Sequence, residues 1–264
     1  LQKYGLKDKS WSGLIPLDPA PVKEGAEPEE DSAGEYFFWL FESRAAGAAG
    51  KDEKGSKAKA KVKNKEQTPL VVWLNGGPGC SSNVGLMFEN GPFKLREGKG
   101  KGGEKYSFEH NQYSWNEVAH MLYIEQPLKT GFSQPKANED KGKKDKGKDH
   151  PTHTIAEDAS VVKNEFQVAV DFYAFLQPFY RAFPHLQEAP LFITGESYAG
   201  KYIPNMAQYI IEQNSLLQSK QSRLGTTSAL LNIPLKGVAI GNGAIDPLQD
   251  LSHAAYAYNH GLIP

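Results

Sequence analysis

The 264 residues predict an α/β fold in which a mostly parallel central sheet is flanked by helices. Short apolar runs of strand length, long segments with apolar residues at helical spacing, and alternation of the two along the chain carry that expectation. The strands are "EYFFWLF" at 35–41, "PLVVWL" at 69–74, "HMLYIEQ" at 120–126, "PLFIT" at 190–194 and "LKGVAIGN" at 235–242. One helix is expected in the segment from Thr154 to Phe183, where Phe172, Phe175, Leu176 and Phe179 recur at helical spacing. A second follows Ser197, with Ile203, Met206, Ala207, Ile210 and Ile211 on one face. A sheet of this kind is covered on both faces and collects reactive groups at the carboxyl ends of its strands. Ser197 sits at such an end.

Residues 1–264 form a single domain in this reading, interrupted by three lysine- and glycine-rich insertions at 51–67, 96–105 and 136–150. Those insertions have almost nothing to bury and no interleaved aromatics, which points to solvated loops and away from a nucleic-acid face. The net charge of −1 gives no general attraction to nucleic acid or anionic membrane. No apolar stretch approaches the roughly 20 residues of a membrane span. The chain opens at Leu1 without a basic and apolar leader, as in a mature protein or an excised fragment. The single cysteine, Cys80, fits either a reducing compartment or a partner outside these residues.

The run Gly195-Glu196-Ser197-Tyr198-Ala199-Gly200 places a serine between a strand and a helix. This is the context of a nucleophile elbow, although Ala199 stands where the general pattern has glycine, and taken alone a helix-capping serine is an equal reading. A second segment, "VVWLNGGPGCSS" at 71–82, runs a strand into a glycine-rich loop. Folds with such an elbow take one oxyanion donor from the residue after the nucleophile and one from a loop after an early strand, positions that Tyr198 and Gly77 fit. No G-K-[ST] follows the loop, which weakens a phosphate-cradle reading.

With these elements the chain resembles the serine carboxypeptidase family. The resemblance rests on "WLNGGPGCSS" at 73–82, "ENGPF" at 89–93, "YSWNEVAHMLYIEQP" at 113–127, "TGFS" at 130–133, "FITGESYAGKYIP" at 192–204 and "GNGAIDP" at 241–247, all in family order. It implies an α/β-hydrolase fold, removal of C-terminal residues from peptides or proteins at acidic pH through an acyl-enzyme, and residence in a vacuole, a lysosome or the secretory route. It further implies Ser197 as nucleophile, Gly77 and Tyr198 as oxyanion donors, and Asn75, Glu89 and Glu196, beside Trp73, as the holders of the substrate carboxylate. Two adjoining carboxyl groups cannot easily both ionise, so one keeps a proton and can donate it to that carboxylate. Glu125 and Lys129 depart from the family's usual aspartate and glycine in their loop.

A nucleophile of this fold finds its acid and then its base later in the chain. After Ser197 the acids are Glu212, Asp246 and Asp250 and the histidines His253 and His260, none in the family's context for a triad. The resemblance implies that Cys80 bridges to a downstream cysteine, which is also missing. Both absences lead to the expectation that the chain is the N-terminal part of a longer protein, cut before the cap insertion and without the triad Asp and His. The upstream histidines His110, His120, His150, His153 and His185 have no metal-ligand spacing, so neither metal nor other cofactor is expected. Two other functions stay open: an acyltransferase or esterase on the same scaffold, and a non-catalytic binding or protective protein. Oligomeric state is not legible.

Overall fold

The computed structural model describes residues 7–18, 34–45, 67–98, 105–136, 162–224, 230–250 and 253–264. The insertions expected at 51–67 and 136–150 lie, apart from Gln67 and Lys136, outside the described residues. Nine strands are described: β1 (Ser10–Pro16), β2 (Gly34–Phe41), β3 (Leu70–Leu74), β4 (Phe93–Glu97), β5 (Tyr106–His110), β6 (His120–Glu125), β7 (Gln134–Pro135), β8 (Leu191–Glu196) and β9 (Leu235–Gly241). The helices are α1 (Glu165–Ala182), α2 (Ala199–Leu224), α3 (Pro247–Asp250) and α4 (His253–Asn259).

The main sheet runs β1-β2-β6-β3-β8-β9, with β7 added to β2. Its half from β6 to β9 is parallel, as anticipated, while β1, β2 and β7 join antiparallel. The sequence reading missed β1, whose "SWSGLIP" alternates only weakly, and the β4–β5 hairpin, which grips the ends of the insertion expected at 96–105. Arg96 and Glu97 are thus strand residues rather than loop.

Alternation along the strands separates two cores. Tyr36, Phe38, Leu40, Leu70, Val72, Leu74, Leu122 and Ile124 face one way, against Phe172, Phe175, Leu176 and Phe179 of α1 and Ile203, Met206 and Ile210 of α2. Trp73, Met121 and Tyr123 face the other, against Leu86 and Phe93. Among the described residues both long helices therefore join the same core, and the second face is covered only near β2, β6 and β3. Helix α1 begins at Glu165, where the Asn164 side chain caps the Gln167 N–H; positions 154–161 of the expected helix lie outside the described residues. On α2 the buried stripe is rotated from the expected one: Tyr202 and Tyr209 join it and Ile211 is exposed.

Asp171 on α1 is a half-buried titratable group at the edge of this core, beside Tyr36. Burial pushes its carboxyl up to about 6, and the nearby Tyr36 hydroxyl lowers it only in part. The unfolded carboxyl titrates near its ordinary value of about 4, so the native state holds the proton more tightly. The favourable linkage is complete below pH 4 and is lost as pH rises through 6, a fall of about 2 kcal/mol between pH 4 and pH 8. Asp171→Asn is expected to remove that slope in urea unfolding at the two pH values.

Candidate active site

Strand register does the first part of the assembly. Leu74 of β3 pairs with Gly195 of β8, so the residues that follow, Asn75 and Glu196, leave the sheet side by side. Glu196 pairs with Gly241 of β9, which brings the "GNGA" loop against Ser197. Glycine is required at 195 because a Cβ there would lie 2.3 Å from the Leu74 carbonyl oxygen and 2.8 Å from the Ala199 Cβ. The alanine at 199 is compatible with the elbow for the same reason: its methyl occupies the space that Gly195 leaves empty.

Ser197 has φ +58°, a left-handed conformation that costs a non-glycine residue on the order of 1 kcal/mol or more. Its backbone is held on both sides. The Ser197 N–H donates to the Gly241 carbonyl at 3.0 Å, and its own carbonyl accepts from Gly200 at 3.0 Å and Ala244 at 2.9 Å. The "GNGAIDP" segment, which the sequence offered only as a motif, braces the elbow. The Ser197 side chain is exposed, and its hydroxyl has no hydrogen-bond partner among the described residues.

The glycine-rich loop packs against the elbow at backbone distance. A Cβ on Gly76 would meet the Tyr198 nitrogen at 2.3 Å and the Ser197 Cβ at 3.0 Å. Gly77 has φ +109°, so glycine is needed there for conformation. Neither the Gly77 nor the Tyr198 N–H donates to a group among the described residues. The elbow and the loop packed against it thus each keep an unpaired N–H donor, and a pair of donors is the provision an oxyanion requires.

Beside them lies a carboxyl pair on an amide. The Asn75 Oδ1 accepts from Trp73 Nε1 and from the Gly85 N–H, each at 3.0 Å, which forces the amide NH₂ toward the acids. Asn75 Nδ2 donates to Glu196 Oε1 at 2.8 Å and to Glu89 Oε1 at 3.3 Å. Glu89 ends a short helical turn, Gly85–Glu89, that approaches closely because Gly85 lacks a side chain; a Cβ there would lie 2.1 Å from Trp73 Nε1. Desolvation first, and the neighbouring Glu196 charge second, raise the Glu89 carboxyl above its ordinary range, while the Asn75 bond opposes them. Glu89 is therefore the carboxyl that holds its proton more tightly than usual. Trp115, unforeseen in the sequence, packs edge-on against Trp73 at 5.3 Å.

Glu125, 2% exposed, ties the glycine-rich segment to the next loop: it accepts from the Ser81 hydroxyl, from Asn83 Nδ2 at 2.7 Å and from the Phe132 N–H at 2.5 Å. Lys129 adopts φ +74°, the region where the family's glycine would be at ease. Cys80 is exposed, and its thiol is free among the described residues. Of the later acids and histidines, Asp246 caps Leu248, Asp250 accepts from the Asp246 N–H, Glu212 accepts from Gln208, and His260 sits on Tyr256 at 4.0 Å. Among the described residues no group of His, Cys, Asp or Glu could hold a metal ion.

The family model for serine carboxypeptidase matches residues 10–264. The chain belongs to the serine carboxypeptidase family. Its relatives include serine carboxypeptidase S10 family member 2 of Dictyostelium discoideum, 36% identical over 94% of this chain and 34% of that protein. Serine carboxypeptidase-like 49 of Arabidopsis thaliana is 38% identical over 86% of this chain and 33% of that protein. The crystal structure of a prohormone-processing carboxypeptidase from Saccharomyces cerevisiae superimposes with a TM-score of 0.65 at 31% identity, covering 97% of this chain and 43% of that one. The fold is accordingly that of the serine carboxypeptidases. The chain spans about a third of the length of the curated relatives it matches.

Proposed function

We propose that the chain carries the nucleophile and the C-terminus-recognition half of a serine carboxypeptidase, in one α/β-hydrolase domain whose triad acid and base come from outside Leu1–Pro264. The observation that carries this reading is the adjacency of a strained, exposed serine, two unpaired N–H donors and two carboxyl groups held on one amide. Ser197 Oγ attacks the scissile carbonyl as a base takes its proton, and the Gly77 and Tyr198 N–H groups hold the resulting oxyanion. Collapse expels the terminal amino acid as its amine gains that proton, leaving an acyl-enzyme on Ser197. Water then attacks the acyl carbon by the same route. The protonated member of Glu89 and Glu196, with Asn75, holds the substrate's terminal carboxylate, so the bond cleaved is the last one. Cys80 is free to pair with a cysteine beyond these residues. The family's acidic optimum and a vacuolar, lysosomal or secreted location fit a carboxyl pair that must keep a proton.

The sign of the pH dependence follows. As pH rises the pair loses its shared proton, two carboxylates face the substrate carboxylate, and peptide KM should climb by about tenfold or more across the transition. A C-terminally amidated peptide has no carboxylate to repel and should show weak but flat KM. The test is to digest free and amidated versions of one peptide with the complete protein from pH 4 to pH 8, following released residues by mass spectrometry. Stepwise release only from the free terminus supports the reading; equal cleavage of both peptides, or internal cuts, overturns it. The unpartnered Ser197 hydroxyl favours one alternative, a binding protein without turnover, which this digestion would reveal as binding with no product.

A further inference from the structure

The glycine-rich loop contains Gly76, Gly77 and Gly79 in a row of four residues, a backbone with more freedom than an oxyanion hole can tolerate. Two ties restrain it. One is the Glu125 cluster at Ser81 and Asn83. The other comes from the opposite side of the site: the Gly79 N–H donates to the Tyr202 hydroxyl at 3.1 Å. Tyr202 is 1% exposed and stands in the first turn of α2, the helix that Ser197 leads into. Its ring packs edge-on against Tyr198 at 5.1 Å, and the Tyr198 hydroxyl donates in turn to Glu165 Oε1 at 2.8 Å at the start of α1. The loop closes on itself just beyond, where the Cys80 N–H donates to the Gly76 carbonyl at 3.1 Å.

We propose that Tyr202 is a positioning residue for the oxyanion hole: from the helix that carries the nucleophile, its hydroxyl fixes the loop that carries the second donor. One rigid element then sets both donors, because Tyr198 precedes α2 directly and Gly77 is held to α2 through Gly79. Burial raises the Tyr202 phenol well above its ordinary range, so the hydroxyl stays neutral over the working pH of any peptidase. The tie matters most for the tetrahedral oxygen, which needs both N–H groups at once.

This inference rests on the acyl-transfer reading of Ser197. Its test is Tyr202→Phe in the complete protein, compared with Tyr180→Phe, which removes an equally buried hydroxyl that has no partner among the described residues. The expected result is a fall in kcat of about 10- to 100-fold at unchanged peptide KM, with a peptide boronic acid, which forms a tetrahedral adduct on serine, weakened by the same factor. Tyr180→Phe should change neither. Tyr202→Phe with kcat and boronate affinity within about twofold of the parent overturns the proposal, as does parallel damage in both variants. A parent protein that releases no residue sinks the functional reading instead, and the ratio of boronate affinities still decides this one.

Discussion

Ser197→Ala is expected to lower kcat for peptide release by about 10⁵-fold or more, with peptide KM within a few-fold of the parent. The size follows from the role: no other hydroxyl among the described residues shares the +58° elbow, the exposed side chain and the flanking unpaired donors. Alanine keeps the backbone bond to Gly241 and those from Gly200 and Ala244, so the fold and the carboxylate site should survive. Turnover and equilibrium binding of a peptide product, measured on the same preparation, separate the two effects. Retention of more than about 1% of the parent kcat in a verified Ser197→Ala sample would place the nucleophile elsewhere.

Gly76→Ala should have the next largest effect, a loss of about 10³-fold in kcat. The added Cβ would stand 2.3 Å from the Tyr198 nitrogen and 2.8 Å from the Glu196 carbonyl oxygen. These are backbone atoms and cannot swing aside as the end of a side chain can, so the loop must retreat by a distance on the order of 1 Å. That retreat separates Gly77 from Tyr198 and breaks the two-donor site without removing any functional group. Gly13→Ala on β1 is the matched control, because its Cβ would find only the Phe38 ring, at 3.9 Å. The same fall in Gly13→Ala as in Gly76→Ala, at preserved thermal stability, would show that steric displacement at the elbow is not the cause.

The parts of this protein that were legible in the sequence are those governed by period and by local backbone chemistry. The buried strands β3 and β6 read clearly because both of their faces are covered and their apolar runs are nearly continuous, and β8 because its short apolar run leads straight into the elbow. The elbow and the glycine loop read clearly because only certain residues tolerate those conformations. The exposure of Ile211 was not legible, since an apolar residue at the margin of a helical stripe looks the same whether a neighbouring element covers it or not. The β4–β5 hairpin was hidden by the lysine- and glycine-rich sequence between its strands. Contacts across the site, such as Tyr202 on Gly79, Trp115 on Trp73 and Ala244 on Ser197, depend on parallel pairing that no single segment encodes. Glu89 is intermediate: the motif named it, but only the geometry shows one amide donating to both carboxylates.

The most direct test of the central claim, that one serine and one carboxyl pair form a single site, is competition for fluorophosphonate labelling of the complete protein at pH 5, mapped by peptide mass spectrometry. The account predicts one adduct, on Ser197, whose formation is slowed by a peptide with a free C-terminus and much less by its amide, and a loss of that difference in Glu89→Ala. An adduct on another residue, or equal protection by the free and the amidated peptide, would contradict it.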